Sequence, residues 1–247
     1  MSRKKTLVGL SVAALVVIVA AGGAFWYLFL RDDAPEKVSL AGALSSLSPT
    51  AAPAGANAIP TTAPAQPAAT DGLNGDWQVD SSVDSFVGYR VKEELATVGF
   101  ATAVGRTKDV TGAFVVDRNI VQSGSIEAKL STLKSDQDFR DNALRTQSIE
   151  TNKFPTATFT LTEAVTLPES LAAGQSLTTT LVGDLTLHGV TKAVEIPVET
   201  TITGEHLVVV GSIDILFSEY NIAKPNAQRV LSVEDHGVME LQLFFKR

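Results

Sequence analysis

Apolar and polar residues alternate with period two through most of residues 76–247, and that spacing predicts strand after strand. Val83, Ser85, Val87, Tyr89 and Val91 share one face. Ile126, Ala128 and Leu130 alternate with Ser125, Glu127 and Lys129, and Ala157, Phe159 and Leu161 with threonines. Leu177, Leu181, Leu185 and Leu187 alternate with Thr178, Thr180, Asp184 and Thr186. Near the end Met239, Leu241, Leu243 and Phe245 face away from Glu240, Gln242 and Phe244. Successive strand side chains point to opposite faces, so each set describes one buried and one wetter face. Seven or eight antiparallel strands joined by short turns predict a barrel or sandwich.

One stretch breaks the pattern. SDQDFRDNALRTQSI, residues 135–149, places Phe139 and Ala143 on one helical face, with Leu144 beside them. Ser135 and Asp138 have capping-box spacing. A short, partly exposed helix over the sheet or over one barrel end is expected. Pro155 follows and marks a strand entry, because proline cannot donate to a ladder.

The first part of the chain has other physics. Residues 7–30 carry no charge, a run slightly longer than the roughly 20 apolar residues that cross a bilayer. Arg3, Lys4 and Lys5 precede it, and Trp26 and Tyr27 lie near its far end. The positive-inside bias predicts a single-pass anchor in the cell membrane, N-terminus cytoplasmic and the remainder extracytoplasmic. A cleaved signal peptide is the rival reading, but 25–30 extend the apolar run past the small residues 20–24. Residues 34–75 are built mainly of Ala, Pro, Thr, Gly and Ser. They predict a disordered tether of reach on the order of 120 Å. The organisation expected is thus a stub and anchor at 1–33, a tether at 34–75 and a β domain at 76–247.

Composition narrows the chemistry. The 247 residues carry a formal charge of −7, which argues against nucleic acid as a partner. There is no cysteine, so disulfides, thiolate metal sites and a cysteine nucleophile are excluded. No nucleophile-elbow, zincin, phosphate-loop or dinucleotide motif occurs. The three histidines, His188, His206 and His236, are isolated and lack metal spacing. His188-Gly189 lies between two strand patterns and predicts a tight hairpin turn. Asp136, Asp138 and Asp141 crowd a helix start, where they offset the dipole without catalysing anything. No catalytic residue, metal or cofactor is implied.

Residues 77–246 resemble the YceI-like family of polyisoprenoid-binding domains. WQVDSSVDSFVGYRV, GRTKDVTGAFVVD, DFRDNALRTQSIETNKFPTATF, GDLTLHGVTKAVEIPVE, SIDILFSEYNI and VMELQLFF carry the likeness, most specifically KFPTATF and GDLTLHGVTK. The family's members are typically exported by a cleaved signal peptide, whereas this chain retains an anchor-like run. SEYNI stands where a basic-Asp-Phe-Gly-Ile stretch is usual. The resemblance implies an all-β, extended, lipocalin-like eight-stranded antiparallel barrel with one short helix. It also implies an interior that holds an isoprenoid, a quinone or a similar amphiphile without catalysis, for sequestration or short-range transport at the outer membrane face. Candidate wall residues are Phe86 or Tyr89, which lie on opposite strand faces, with Phe114, Phe154, Phe159, Leu185, Phe217, Leu241 and Phe245. Candidate head-group contacts are Arg90, Lys108, Arg140 and Arg145, of which Arg140 and Arg145 equally suit solvated helix charges. The alternative is a membrane-tethered interaction module with a packed core and no lipid. Oligomeric state is left open.

Overall fold

The computed structural model describes residues 34–47, 73–95, 99–168, 174–225 and 230–247. The apolar run expected to anchor the chain lies outside them. Among the described residues no helix is long and apolar enough to cross a membrane.

Eight strands close a ring: β1 (Gly75–Val79), β4 (Val110–Asp117), β5 (Ile120–Lys129), β7 (Thr156–Leu161), β9 (Ser176–Leu187), β10 (Val190–Thr203), β11 (His206–Leu216) and β13 (His236–Lys246). All neighbours are antiparallel, and β1 joins β13 to complete the circuit. The expected eight-stranded lipocalin-like barrel is present, with two short helices among the described residues where one was expected: α1 (Leu40–Leu47) and α2 (Asp138–Thr146).

Two strands are shared in a way that reshapes one end. The last residues of β13 pair with β1, whereas Val238 to Gln242 pair with β2 (Phe86–Leu95). β2 continues the sheet into β3 (Gly99–Thr107), which meets the two-residue β6 (Lys134–Ser135). The short β8 (Val165–Thr166) pairs β5, and β12 (Val230–Val233) pairs the outer part of β2. The β10–β11 ladder stops at Val198 and Gly211, beside Pro197, which has no N–H to extend it. Past that point β11 stays with β13 and β10 stays with β9. The 3-10 turn Phe217–Tyr220 and Ile222 cover the opening, packed on Leu185, Val190, Val194 and Ile215. Asn221, in the stretch that departs from the family pattern, is left-handed at φ 56°, a conformation asparagine tolerates.

The opening of the presumed tether is ordered. Leu40, Ala43, Leu44 and Leu47 recur at helical spacing and pack on Val208, Val210, Phe244 and Val83. Ser39 caps the helix, its Oγ accepting from Gly42 N–H at 3.1 Å. The tether boundary at residue 34 is therefore corrected: 34–47 belong to the folded unit. The wetter face expected for β13 is corrected with it. Glu240, Gln242 and Phe244 are all buried, under 34–47 and the turn at 80–85. Val83 and Ser85 sit in that turn, and the strand begins only at Phe86. The capping-box expectation fails too. Gln137 precedes α2 without a side-chain cap, and Ser135 instead binds the buried Asp141 carboxylate through its N–H (2.9 Å) and Oγ (2.7 Å).

Candidate binding site

The inward face of the barrel does not fill it. One chamber, of about 140 Å3, lies inside the closed ring and is walled by Phe114, Ile126, Phe159, Leu181, Leu185, Ile196, Val198, Leu241, Leu243 and Phe245, among others. A second, of about 130 Å3, lies where the ring splays. Its walls come from β2, α2, the 217–225 segment and the first part of β13. Each is close to the roughly 150 Å3 of an engineered apolar cavity that stays dry and takes up a small apolar molecule. Val87, Ala157 and Met239 line both, so the chambers meet there.

Period-two patterning explains the first chamber. Ile126 and Ala128, Leu181 and Leu185, Ile196 and Val198, and Met239, Leu241, Leu243 and Phe245 all point inward from the strands the alternation predicts. Trp77, Phe114 and Phe245 stack and edge against each other at one side, with centroids 6.1 and 4.8 Å apart. That cluster packs a corner and leaves the middle open.

The second chamber is apolar with one polar corner. Val87, Tyr89, Val91 and Glu93 alternate inward along β2. Glu93 is buried at 6% exposure and ion-paired to Arg140, which also pairs with Asp136. Burial disfavours the Arg140 charge, but the Glu93 hydrogen bond and carboxylate outweigh it and hold its pKa above the ordinary value. Burial pushes the Tyr89 phenol up as well, so it stays a neutral hydroxyl. Its ring lies over Gly105, where a Cβ would come within 2.3 Å of it. Tyr89 Oη, Arg140 Nε and Ser148 Oγ, all on residues that line this chamber, are buried without a hydrogen-bond partner among the described residues. Three donors thus remain unused on the walls of an otherwise apolar space, groups able to hold the polar end of an amphiphile.

Seven of the nine wall candidates face these chambers: Phe114, Phe159, Leu185, Leu241 and Phe245 the first, Tyr89 and Phe217 the second. Two do not. Phe86 points outward beneath the Arg106 guanidinium, 4.2 Å from its ring centroid, because it opposes Tyr89 across the strand. Phe154 packs under the hairpin turn, its ring centroid 4.4 Å from that of His188 and close against Gly189. Of the head-group candidates only Arg140 reaches a chamber. Arg90 lies on the outer face, with Nε 3.0 Å from Glu240 and Nη2 donating to Pro35 O. Lys108 is exposed and pairs with Asp84, and Arg145 is half-buried on α2 away from either wall. Glu93 and Ser148 were missed. A glutamate in KEEL reads as solvent-facing until the register with β3 and the contact with α2 are known.

His188 belongs to a turn. His188 and Gly189 both have positive φ, 52° and 74°, between the paired Leu187 and Val190, as a two-residue hairpin requires. The ring Nδ1 bonds Tyr220 O at 2.9 Å, and Nε2 lies 3.3 Å from Glu150. Each histidine has its own carboxylate, Glu150, Asp80 or Glu234, in separate parts of the fold. Among the described residues no group of three potential metal ligands is brought together.

A ring of eight antiparallel strands around an apolar void defines a barrel of the lipocalin-like class. The chain belongs to the YceI-like family, whose domain model matches residues 77–245. It is 32% identical over 124 residues to a UPF0312 protein of Yersinia enterocolitica, an alignment covering 49% of this chain and 57% of that one. With the YceI protein of Shigella flexneri it shares 30% identity over 123 residues, 48% of this chain and 58% of that one. The fold is shared with a polyisoprenoid binding domain from Saccharophagus degradans (TM-score 0.54, 15% identity, 69% of this chain and 97% of that one). It is shared also with BcnA of Burkholderia cenocepacia (TM-score 0.52, 17% identity, 67% and 98%).

Proposed function

We propose that this protein binds a polyisoprenoid or a similar amphiphilic lipid, such as a quinone, with its hydrocarbon in the two chambers and its polar end at Arg140 and Ser148. The protein acts without catalysis, sequestering or carrying the lipid over short distances at the outer face of the membrane that residues 7–30 span. The observation that carries this reading is the pair of adjoining carbon-walled chambers, with unused buried donors on the walls of the second. Removing apolar chain from water contributes about 25 cal/mol per Å2, so a long chain needs few polar contacts to bind. The polyisoprenoid-binding domain that shares the fold supports the ligand class. A packed core would have favoured an interaction module, and the interior voids weigh against it.

Native mass spectrometry of the full-length chain released from detergent micelles tests this. A one-to-one adduct with the mass of a prenyl lipid, extractable into organic solvent, is the expected result. A bare chain that takes up no added prenyl alcohol or quinone refutes it.

A further inference from the structure

We infer that the barrel rests on the lipid bilayer by one particular end, the tip of β2, β3 and β12, with Phe100 and Leu231 in the interfacial layer. The inference rests on the reading of residues 7–30 as a membrane anchor. It goes beyond that reading by fixing which end of the barrel faces the membrane and how close it sits.

The first observation is the path of the chain. Pro35 O accepts from Arg90 Nη2 at 2.6 Å and Glu36 O from Arg106 Nη2 at 3.2 Å. Arg90 pairs across to Val238, and Arg106 lies beside Gly88, which faces Glu240. α1 then lies against Val208 and Phe244, further along the same strands. From 34 to 47 the chain therefore runs away from the β2–β3 tip. Its upstream end is the end nearer the tip.

The second observation is length. Only Arg31, Asp32 and Asp33 separate the last apolar residue, Leu30, from Ala34. From Leu30 to Pro35, which docks through its carbonyl, five residue steps span at most about 18 Å. Phe100 pairs with Glu94, four residues beyond Arg90 on β2, or about 13 Å at strand rise. The bilayer surface thus lies within about 18 Å of the point where the chain docks, a reach that brings the tip, about 13 Å from that point, down to it. A tether of the full 34–75 length would have left the barrel free to turn, but the docking of 34–47 removes that freedom.

The third observation is what the tip presents. Phe100 is 83% exposed and Leu231 65%, the two most exposed large apolar side chains among the described residues. Leu231 lies between Val230 and Ser232, which pair with Leu95 and Glu94, so both residues sit at the same end of one sheet. Val233 and Glu93, a cross-strand pair one step inward, are walls of the second chamber. An aromatic and an aliphatic side chain held out in water beside the rim of an apolar chamber are favoured at a membrane interface, where both lose contact with water. Lipid would enter from the bilayer over this rim.

The absence of cysteine allows a direct test with the full chain. Phe100→Cys, Leu231→Cys and Glu205→Cys each receive an environment-sensitive fluorophore. Glu205 lies in the β10–β11 turn, at the opposite end of the barrel and exposed. The labelled chains are reconstituted into vesicles of phosphatidylethanolamine and phosphatidylglycerol containing doxyl-labelled lipid. Quenching several-fold stronger at 100 and 231 than at 205 is expected. Equal quenching at all three sites, stronger quenching at 205, or recovery of the chain in the aqueous fraction overturns the proposal. Prenyl-lipid binding is measured on the same preparations. Bound lipid with unquenched tips removes the orientation and keeps the function, while quenched tips without bound lipid do the reverse.

Discussion

Ala157 is the position at which the two-chamber arrangement can be put at risk. It is 9% exposed, pairs with Ala128, and is one of the three residues that wall both chambers. Ala157→Phe places a ring at their junction and leaves each chamber otherwise intact. A ligand short enough for one chamber loses little, and one that spans both loses whatever part is shut out. Each five-carbon isoprenoid unit contributes about 4 kcal/mol at roughly 0.8 kcal/mol per buried methylene. Exclusion of a single unit therefore weakens binding by up to about three decades. The fold loses less, about 1–3 kcal/mol for overpacking, and toward the lower end because the ring enters a void. The assay is titration of the full chain with farnesol and with a long polyprenol, alongside a thermal melt. Long-chain affinity should fall by two to three decades while farnesol changes only a few-fold. Val87→Phe, on the same junction, should reproduce the pattern. An unchanged long-chain affinity in a folded variant refutes the spanning of both chambers. Equal losses for both ligands refute it too, since they indicate a damaged site and not a blocked passage.

Three further outcomes are expected. Glu240→Ala should lower stability by roughly 3–5 kcal/mol in chemical denaturation, because it strands Arg90 and Arg106 beside a 1%-exposed vacancy; a loss below about 1 kcal/mol would count against the buried pair. Asp80 is desolvated, which raises its pKa, but bonds from Ser82, His206 and Lys246 outweigh this and hold it well below the carboxylate range. The stability it contributes is complete above about pH 4 and declines as pH falls through the depressed value, so the deficit of Asp80→Asn should be largest near neutrality and shrink in acid. A deficit that grew below pH 4 would reverse the sign. Ala43 is fully buried on the docked face of α1, and Ala43→Asp should release 34–47, cost about 1–3 kcal/mol, and raise amide exchange over Val208 and Val210 while barrel closure persists. Unchanged exchange there would show that the helix remains docked.

The inward leucines, valines and phenylalanines were legible because period-two alternation survives in almost every strand of the ring. So was the His188-Gly189 turn, whose positive φ values a histidine-glycine pair between two apolar runs foreshadows. α1 was hidden by its company. LAGALSSL has the i, i+3, i+4, i+7 spacing of a docked helix, yet it opens a stretch whose composition is that of a spacer. Its partners are outward residues of β11 and β13, so Val208, Val210 and Phe244 carried the matching signal: apolar side chains on a face that should have been wet. Arg140 reads equally as a surface helix charge or as a buried cation. Only its meeting with Glu93, 47 positions away, distinguishes them, and no local pattern encodes that distance.

The irregularities that sequence pattern did not foretell are the ones that make room. A regular eight-stranded barrel has an interior just wide enough to be filled by its own side chains or to hold one small ligand. Here the β10–β11 ladder ends beside Pro197, and β13 gives its two halves to different partners, β1 at one end and β2 at the other. The first departure ends ladder hydrogen bonds between β10 and β11, and the second exchanges bonds to β1 for bonds to β2. The 217–222 segment and α2 then cover the widened end with Ile222, Phe217, Ala143 and Leu144, so the space is roofed without being filled. Had selection favoured stability alone, the simpler course was a continuous β10–β11 ladder over a packed core. A second chamber roofed by irregular segments, with Arg140 and Ser148 left holding unused donors on its walls, is what the proposed occupant, with a long apolar body and one polar end, would require.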